Sequence, residues 1–316
     1  MVQLTNSTAE VTLNTGAKIP QLGLGTWRST EQEAYDAVLT AIKAGYRHID
    51  SAAIYKNEAV VGKAIKDSGI PREELFVTTK LWGTQHKDPA KALELSLKRL
   101  GLDYVDLYLI HWPVAFKAEG FTTDEQFLSI PQNEDGSRNL DWNKENPKEG
   151  WNFVKTWELV QDLPKTGKTK AVGVSNFSVN NLKELEAAGL KTPTANQVEL
   201  HPLLPQNELI AYAKEKGITI EAYSPLGSQD SPLLKNETLK AIADSYEVSI
   251  AQVLINWALK RGYVVLPKSI TASRIESNFK VFDLKEDDFN KVTDLIKVEG
   301  EQRFIVPDWS PFPTFE

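Results

Sequence analysis

The chain has no cysteine, no long apolar run and no excess of basic residues among its 316 residues. Without cysteine it cannot form disulfides, thiolate metal sites or a thiol nucleophile. No apolar stretch approaches the ~18 residues of a membrane span, and the first residues lack the basic and apolar regions of a secretion signal. A formal net charge of −7 argues against a nucleic-acid partner, because phosphate binding depends on a basic surface. We therefore expect a cytoplasmic protein with no membrane, nucleic-acid or metal partner.

Strand-like and helix-like segments alternate along most of the chain. Eight segments have the composition of buried strands, at residues 22–25, 48–50, 75–79, 105–110, 171–174, 195–199, 219–223 and 264–266. Helical periodicity occurs between them, as at residues 31–44, 89–100, 151–163, 178–187, 206–216 and 250–260. The alternation predicts an α/β fold.

The spacing of the strands favours one architecture within that class. A repeat of about 25–45 residues per strand–helix unit fits a (β/α)8 TIM barrel. A doubly wound sheet is the alternative, and we favour the barrel. Residues 11–13 and 18–19 flank turn residues and predict an N-terminal β-hairpin. No linker of flexible composition interrupts the chain, so we expect a single domain over residues 1–316.

Two segments interrupt the alternation. Residues 113–149 are polar and rich in proline and glycine, which is typical of a long functional loop on the C-terminal face of a barrel. Residues 304–316 combine four aromatic residues with three prolines and cannot form a helix. We expect this tail to lie over the mouth of the barrel; the alternative is a tail that seals the side of the barrel.

Four polar residues lie at or just beyond the ends of three successive predicted strands: Asp50, Tyr55, Lys80 and His111 (the tetrad). In a barrel these strand ends converge on one rim, where active sites form. A tyrosine has a pKa near ~10, so it needs a nearby cation to exchange a proton at neutral pH. Lys80 supplies that charge, and Asp50 can orient it. Individually the same residues also suit structural roles, as a buried ion pair and a core imidazole.

Seven motifs occur in a characteristic order: GYRHIDSAAIYKNE, TTKLW, DLYLIHWP, KAVGVSNF, NQVELHP, EAYSPLG and LPKSITASR. With them the chain resembles the aldo-keto reductases over essentially its whole length. It is most similar to the fungal branch, which includes NADP-dependent glycerol dehydrogenases and carbonyl reductases and is related to the xylose reductases. The resemblance implies NADPH-dependent reduction of aldehydes and ketones, with oxidation of glycerol or other polyols by NADP as the reverse reaction.

The resemblance also implies roles for the tetrad. Tyr55 would be the general acid, Lys80 and Asp50 would lower its pKa, and His111 would orient the carbonyl. The partner would be a small carbonyl or polyol substrate, and the working form a monomer or weak homodimer. Two alternatives remain: a non-catalytic nucleotide-binding regulatory subunit on the same barrel, and a barrel hydrolase with paired carboxylates.

The last predicted strand leads into Lys268, Ser269 and Arg274, where barrels commonly bind phosphate at the start of a short helix. The spacing of Ser273 and Glu276 predicts a capping box at that helix start. In the family this trio (the phosphate clamp) binds the adenosine 2′-phosphate, which implies NADPH rather than NADH. A solvated basic patch is the alternative.

The resemblance assigns further contacts position by position. The expected cofactor contacts are Gly25, Thr26, Trp27 and Asp50 near the nicotinamide ribose, Ser175, Asn176 and Gln197 at the carboxamide, Tyr223 on the ring, Leu226, Ser228 and Asp230 along the pyrophosphate, and Asn278 at the adenine. Relatives often carry an acid where this chain has Ser277. The expected substrate pocket is formed by Trp27, Trp82, Trp112 and Trp309, for which core packing is the alternative role.

Overall fold

The computed structural model describes residues 2–143, 145–146, 149–228 and 231–316. Near the N-terminus, strand β1 (Thr5–Asn6) is followed by the predicted hairpin of β2 (Glu10–Thr12) and β3 (Lys18–Pro20). The hairpin packs its buried residues against the apolar interior of the barrel. β1 pairs with β12 (Lys280–Val281), a contact between the chain's two ends that the sequence pattern did not reveal.

Eight parallel strands form the barrel. They are β4 (Leu24–Gly25), β5 (His48–Asp50), β6 (Phe76–Leu81), β7 (Val105–Ile110), β8 (Thr169–Ser175), β9 (Ala195–Glu199), β10 (Thr219–Tyr223) and β11 (Val264–Leu266). The residues around β4 close the ring onto β11, since Gly23 N donates to Val265 O and Gly25 N donates to Pro267 O, both at 3.0 Å. A Cβ on Gly23 would lie 2.7 Å from the His48 imidazole, so only glycine fits where the ring closes. The barrel prediction is confirmed over the doubly wound alternative.

Helices cover the outside of the barrel. The described helices are α1 (Glu31–Ala44), α2 (Glu58–Asp67), α3 (Pro89–Leu100), α4 (Asp124–Phe127), α5 (Phe153–Val160), α6 (Val179–Ala187), α7 (Asn207–Lys216), α8 (Glu237–Tyr246), α9 (Ile250–Lys260), α10 (Ala272–Asn278), α11 (Glu286–Thr293) and α12 (Leu295–Glu299). Local sequence explains their ends: Thr30 and Glu33 form a capping box on α1, and Gly101 ends α3 at a φ of 64°. Among the described residues, no helix is both long and apolar enough to cross a membrane.

The long segment after β7 is more ordered than the sequence predicted. Its described residues include α4 and two antiparallel bridges, between Phe116 and Leu140 and between Gln132 and Arg138. The Trp82 indole donates to Ser129 O at 2.6 Å and thereby ties this segment to the end of β6. The segment therefore forms part of the C-terminal face of the barrel.

The barrel interior is apolar at one end and polar at the other. The hairpin end is filled by a cluster that includes Leu107, Leu109 and Val264. At the opposite end the buried inward-facing side chains include Asp50 and Lys80. The polar end coincides with the C-terminal ends of the strands, which is where a barrel carries its functional residues.

Two fully buried imidazoles make the stability of the fold depend on pH. Burial lowers the pKa of His48 to about 4 and that of His86 to about 3, from 6.5. Below pH 6.5 these histidines take up protons in the unfolded chain but stay neutral in the folded protein, because their folded-state pKa values are lower. The free energy of unfolding is therefore unaffected by them above pH 6.5 and decreases as the pH falls towards 3–4. We expect the wild-type melting temperature to fall when the pH is lowered from 7 to about 4.5.

A comparison of the wild type with His86→Leu isolates the contribution of His86 to the pH dependence of stability. Neither ring nitrogen of His86 has a hydrogen-bond partner among the described residues, so an apolar replacement leaves no donor unpaired. Differential scanning calorimetry between pH 7 and about 4.5 should show a smaller loss of stability for the variant, since other titrating groups contribute equally to both proteins. Identical pH slopes in the two proteins would contradict this assignment.

Candidate active site

A cavity of about 1190 Å³ opens at the C-terminal ends of the barrel strands. It brings together most of the residues selected from the sequence. Those that line it are Gly25, Trp27, Asp50, Tyr55, Trp82, His111, Trp112, Ser175, Asn176, Gln197, Tyr223, Leu226, Ser228, Lys268, Ser269, Arg274, Asn278 and Trp309. Asp230 lies outside the described residues. Two selected residues, Thr26 and Lys80, do not reach the cavity surface.

Lys80 lies beneath the cavity floor, near the end of β6, and is fully buried. Its ammonium group donates to both carboxylate oxygens of Asp50, at 2.7 and 2.8 Å, and to the backbone oxygen of Ser51 at 2.8 Å. These contacts use all three of its donors and fix its position. Thr26 is turned into the wall instead of the cavity because its hydroxyl donates to Asp50 O at 2.9 Å.

Tyr55 ends a short 3-10 turn that follows β5. The Lys80 Nζ atom lies 5.2 Å from the centre of its ring. Burial, and then the negative charge of Asp50, raise the pKa of the Tyr55 phenol well above 10. The expectation that Asp50 lowers this pKa is therefore wrong, since its charge acts in the opposite direction. The phenol is protonated at neutral pH and can donate its proton.

His111 is the first residue after β7 and contacts Tyr55 edge to face, with 5.6 Å between ring centres. Trp82 also contacts His111 edge to face, with 5.5 Å between ring centres. Burial, followed by the charge of Lys80, lowers the pKa of His111 well below 6.5, so the imidazole is neutral. Its Nδ1 atom is buried without a partner among the described residues, which leaves Nε2 to face the cavity.

A chain of hydrogen bonds orders the polar wall beside the tetrad. The Tyr223 hydroxyl donates to Asn176 Oδ1 at 2.8 Å, and Asn176 Nδ2 donates to His111 O at 2.9 Å. Ser175 donates to Gln197 O at 2.8 Å, and Gln197 Nε2 donates to Asp50 Oδ1 at 2.8 Å. These groups therefore hold one another in fixed positions along the wall of the cavity.

The phosphate clamp lies at the other end of the cavity. Lys268 is half-buried, and its Nζ atom donates to Arg28 O at 3.1 Å. Burial lowers the pKa of Lys268, so a bound anion would stabilise its charged form. Arg274 is exposed and makes no ion pair with a described residue. The clamp thus presents one half-buried cation, Lys268, and one exposed cation, Arg274, to the same cavity.

The capping box predicted for the helix at the clamp is wrong. α10 begins at Ala272, one residue before the predicted cap Ser273. Thr271 precedes the helix, and its side chain makes no capping hydrogen bond. Ser269 Oγ instead accepts a hydrogen bond from Thr271 N at 3.2 Å, which shapes the turn before the helix.

The tail reaches the mouth of the cavity, as the sequence predicted. Its backbone N–H groups at Phe304 and Ile305 each donate to the buried carboxylate of Glu199 at 2.8 Å. The same tail segment contributes Trp309 to the cavity lining. The tail is therefore anchored to β9, one of the strands that carry the site.

Trp309 joins an aromatic cluster at the tetrad end. Its ring centre lies 5.9 Å from Trp112, 6.3 Å from Trp82 and 5.4 Å from Phe116. Trp27 lies apart from them, 37% exposed, under the guanidinium of Arg28 at 4.4 Å. Three of the four predicted pocket tryptophans therefore pack together, and Trp27 lines the cavity at a partly exposed position.

Other lining residues were not identified from the sequence. They include Arg28, Glu33, Ile54, Ile130, Leu234, Ser249, Ile250, Ala251, Ile270, Ile305, Val306 and Pro307. Most are apolar residues, in loops, in short turns or at the start of α9, and have no chemical signature that separates them from core residues.

Known proteins with similar sequences and structures agree with this geometry. Residues 21–297 match the model of the aldo/keto reductase family. The chain is 60% identical over 315 residues to a glycerol 2-dehydrogenase (NADP(+)) of Saccharomyces cerevisiae, which covers 99% of each chain. It is 59% identical over 315 residues to the aldehyde reductase YPR1 of the same organism, again with 99% of each chain covered.

A solved structure shows the same fold. The enzyme MGS-M4, an aldo-keto reductase from a Medee basin deep-sea metagenome library, matches with a TM-score of 0.76 and 41% identity, covering 96% of this chain and 100% of that one. The resemblance to the fungal branch is confirmed by the two yeast relatives. The chain is an oxidoreductase that belongs to the aldo/keto reductase family.

Proposed function

We propose that this protein reduces aldehydes and ketones to alcohols with NADPH, and oxidises glycerol or other polyols with NADP in the reverse direction. One observation carries the proposal. The cavity has Tyr55 and His111 on its floor above a buried Lys80–Asp50 pair, and the phosphate clamp at its other end. The two yeast relatives, named as a glycerol 2-dehydrogenase (NADP(+)) and an aldehyde reductase, support it.

The residues of the cavity fit a phosphorylated dinucleotide. Lys268 and Arg274 offer cations to a phosphate, and the ordered amides of Asn176 and Gln197 offer partners to a carboxamide. Tyr223 also lines the cavity, hydrogen-bonded to Asn176, and its ring can pack on a planar group. NADPH, when bound, supplies the hydride that no side chain can provide.

The tetrad supplies the other requirements of carbonyl reduction. Tyr55, protonated throughout the neutral pH range, donates the proton that the carbonyl oxygen needs as negative charge develops on it. Neutral His111 donates a hydrogen bond from Nε2 to the same oxygen. Lys80 stabilises the phenolate that remains, and Asp50 fixes Lys80 and balances its charge in the resting state. The hydride and this proton together convert the carbonyl into an alcohol.

The substrate end of the cavity suits small neutral carbonyl compounds. Around Tyr55 and His111 the lining is formed by Ile54, Trp82, Trp112, Ile130 and Trp309. None of these side chains is charged, so a substrate is held mainly by apolar contact and by the hydrogen bonds to its carbonyl oxygen. We propose broad recognition of aldehydes, with the protein acting as a monomer or weak homodimer.

The proposed function is tested by steady-state kinetics with NADPH and NADH over a panel of aldehydes, ketones and sugars, and with NADP and glycerol in reverse. We expect NADPH-dependent reduction of several aldehydes. Quenching of tryptophan fluorescence by NADPH, measured in parallel, separates the alternatives. Binding without turnover would indicate a regulatory nucleotide-binding protein, and the absence of binding would refute the cofactor assignment.

Arg274→Ala is expected to weaken NADPH binding about 10–100-fold, since it removes a charged donor from the phosphate clamp. NADH lacks the 2′-phosphate, so its affinity should change by less than about twofold. Fluorescence titrations with both nucleotides measure the two effects. Lys297→Ala, which removes an exposed cation on α12, is the matched control and should bind both nucleotides as the wild type does. Equal losses for NADPH and NADH in Arg274→Ala would refute the clamp.

A further inference from the structure

The amide group of Gln197 is held between two buried carboxyl groups. Its Nε2 atom donates to Asp50 Oδ1 at 2.8 Å and to Glu221 Oε2 at 2.8 Å. A primary amide nitrogen carries two hydrogens, so both are used. Asp50 already belongs to the tetrad, whereas Glu221 takes part in none of the chemistry described above.

These contacts fix which way the amide faces. A flipped amide would place its oxygen against two carboxyl oxygens, which is electrostatically unfavourable. The oxygen Oε1 must therefore point away from them, and Gln197 lines the cavity. Among the described residues no group donates to Oε1. Gln197 therefore presents a hydrogen-bond acceptor to the cavity and does not present a hydrogen-bond donor.

Glu221 lies on β10, is fully buried and does not line the cavity. It has no cation within ion-pair distance among the described residues, and its Oε1 atom has no partner. Burial, and then the charge of Asp50, raise its pKa to about 7, while Lys80 and the bond from Gln197 act in the opposite direction. Its neighbour on β11 in the barrel is the apolar Val264.

This environment gives Glu221 no stabilising ion pair, so its burial is a cost to folding that the hydrogen bond to Gln197 only partly offsets. When Glu221 is protonated on its Oε1 atom, its Oε2 atom can still accept the hydrogen bond from Gln197. The contact with Gln197 therefore persists whether Glu221 is neutral or charged, and it orders Gln197 across the neutral pH range.

We propose that Glu221 is a positioning residue: together with Asp50 it holds the Gln197 amide with its oxygen towards the cavity. This orientation makes the site selective for a nicotinamide ring whose substituent is a primary amide, because the amide N–H can donate to that oxygen. This inference rests on the proposed function, because it assigns that part of the cavity to the nicotinamide. A ketone in place of the carboxamide offers no hydrogen to Gln197 Oε1 and loses that hydrogen bond.

The test compares NADP with its 3-acetylpyridine analogue, in which an acetyl group replaces the carboxamide. Dissociation constants are measured by tryptophan fluorescence quenching, without turnover. We expect the wild type to bind the analogue about tenfold more weakly, the effect of one lost hydrogen bond with a buried acceptor left unpaired. In Glu221→Met the Gln197 amide is held by Asp50 alone and can turn, so that its second N–H reaches the cavity and donates to the acetyl oxygen. The ratio of the two dissociation constants should then fall to about twofold or less.

Glu221→Gln is the matched control, because it keeps an acceptor of the same length and should keep the tenfold ratio. If Glu221→Met does not fold, Glu221→Thr is used in its place, because the threonine side chain is too short to reach Gln197. Equal affinities in the wild type, or an unchanged ratio in the variants that lack the acceptor, would overturn the inference. Failure of NADP itself to bind the wild type would instead refute the proposed function, so the two failures are distinguishable.

Discussion

Tyr55→Phe is expected to lower kcat by about 10³-fold or more while the dissociation constant for NADPH changes by less than about twofold. The phenol is the protonated group on the cavity floor, and burial keeps it protonated. The neighbouring His111 is neutral, and Lys80 lies below the floor with all its donors in use. Removing the hydroxyl takes away the group that gives up the proton, whereas the ring that packs on His111 remains. Rapid-mixing kinetics and fluorescence titration measure the two quantities.

Tyr212→Phe serves as the control for this experiment. It removes a phenol that donates to Glu186 on the protein surface, far in the sequence from any tetrad residue. Its turnover should equal that of the wild type. Retention of more than about a tenth of wild-type turnover by Tyr55→Phe would exclude Tyr55 as the proton donor.

Lys80→Met should also reduce kcat strongly, by about 10²–10⁴-fold, because the phenolate formed at Tyr55 would lose its stabilising cation. The same change leaves the buried Asp50 carboxylate without a cation. Breaking a buried ion pair in this way destabilises folded proteins by about 3–5 kcal/mol. The single variant therefore combines a chemical loss with a structural one. Urea unfolding and steady-state kinetics on the same preparation give both values.

The double variant Asp50→Asn/Lys80→Met separates the two losses. It removes the unpaired charge while keeping an oxygen that can accept from Gln197, so much of the folding stability should return. Turnover should remain as low as in Lys80→Met. Recovery of turnover together with stability would show that the pair is only structural, which was one of the roles considered from the sequence.

The tetrad was predictable because its signal is local. Asp50, Lys80 and His111 each stand at or next to the end of an apolar segment, and parallel strands in a barrel deliver their ends to one rim. The barrel was predictable from the alternation of strand-like and helix-like segments along the chain. The tail and its Trp309 could be placed because aromatic residues among prolines have few alternatives to a loop that packs on an apolar surface. Trp82 and Trp112 could be placed because they lie just beyond strand ends on the same rim.

The remaining features depend on contacts between distant parts of the chain. The pKa of Tyr55 is set mainly by burial, which no sequence spacing reports. The start of α10 at Ala272 overrides a local capping pattern, because the preceding turn is shaped by Ser269. The contact of Gln197 with Glu221 joins neighbouring strands whose register is decided only when the barrel closes.

Transfer of deuterium from NADPH labelled at both hydrogens of nicotinamide C4 tests the central claim most directly. The wild-type protein is incubated with labelled NADPH and a small aldehyde, and the alcohol is analysed by mass spectrometry. The account predicts one deuterium at the carbinol carbon of each alcohol formed, with one NADPH consumed per alcohol. Alcohol without deuterium, or no alcohol at all from a protein that binds NADPH, would contradict it.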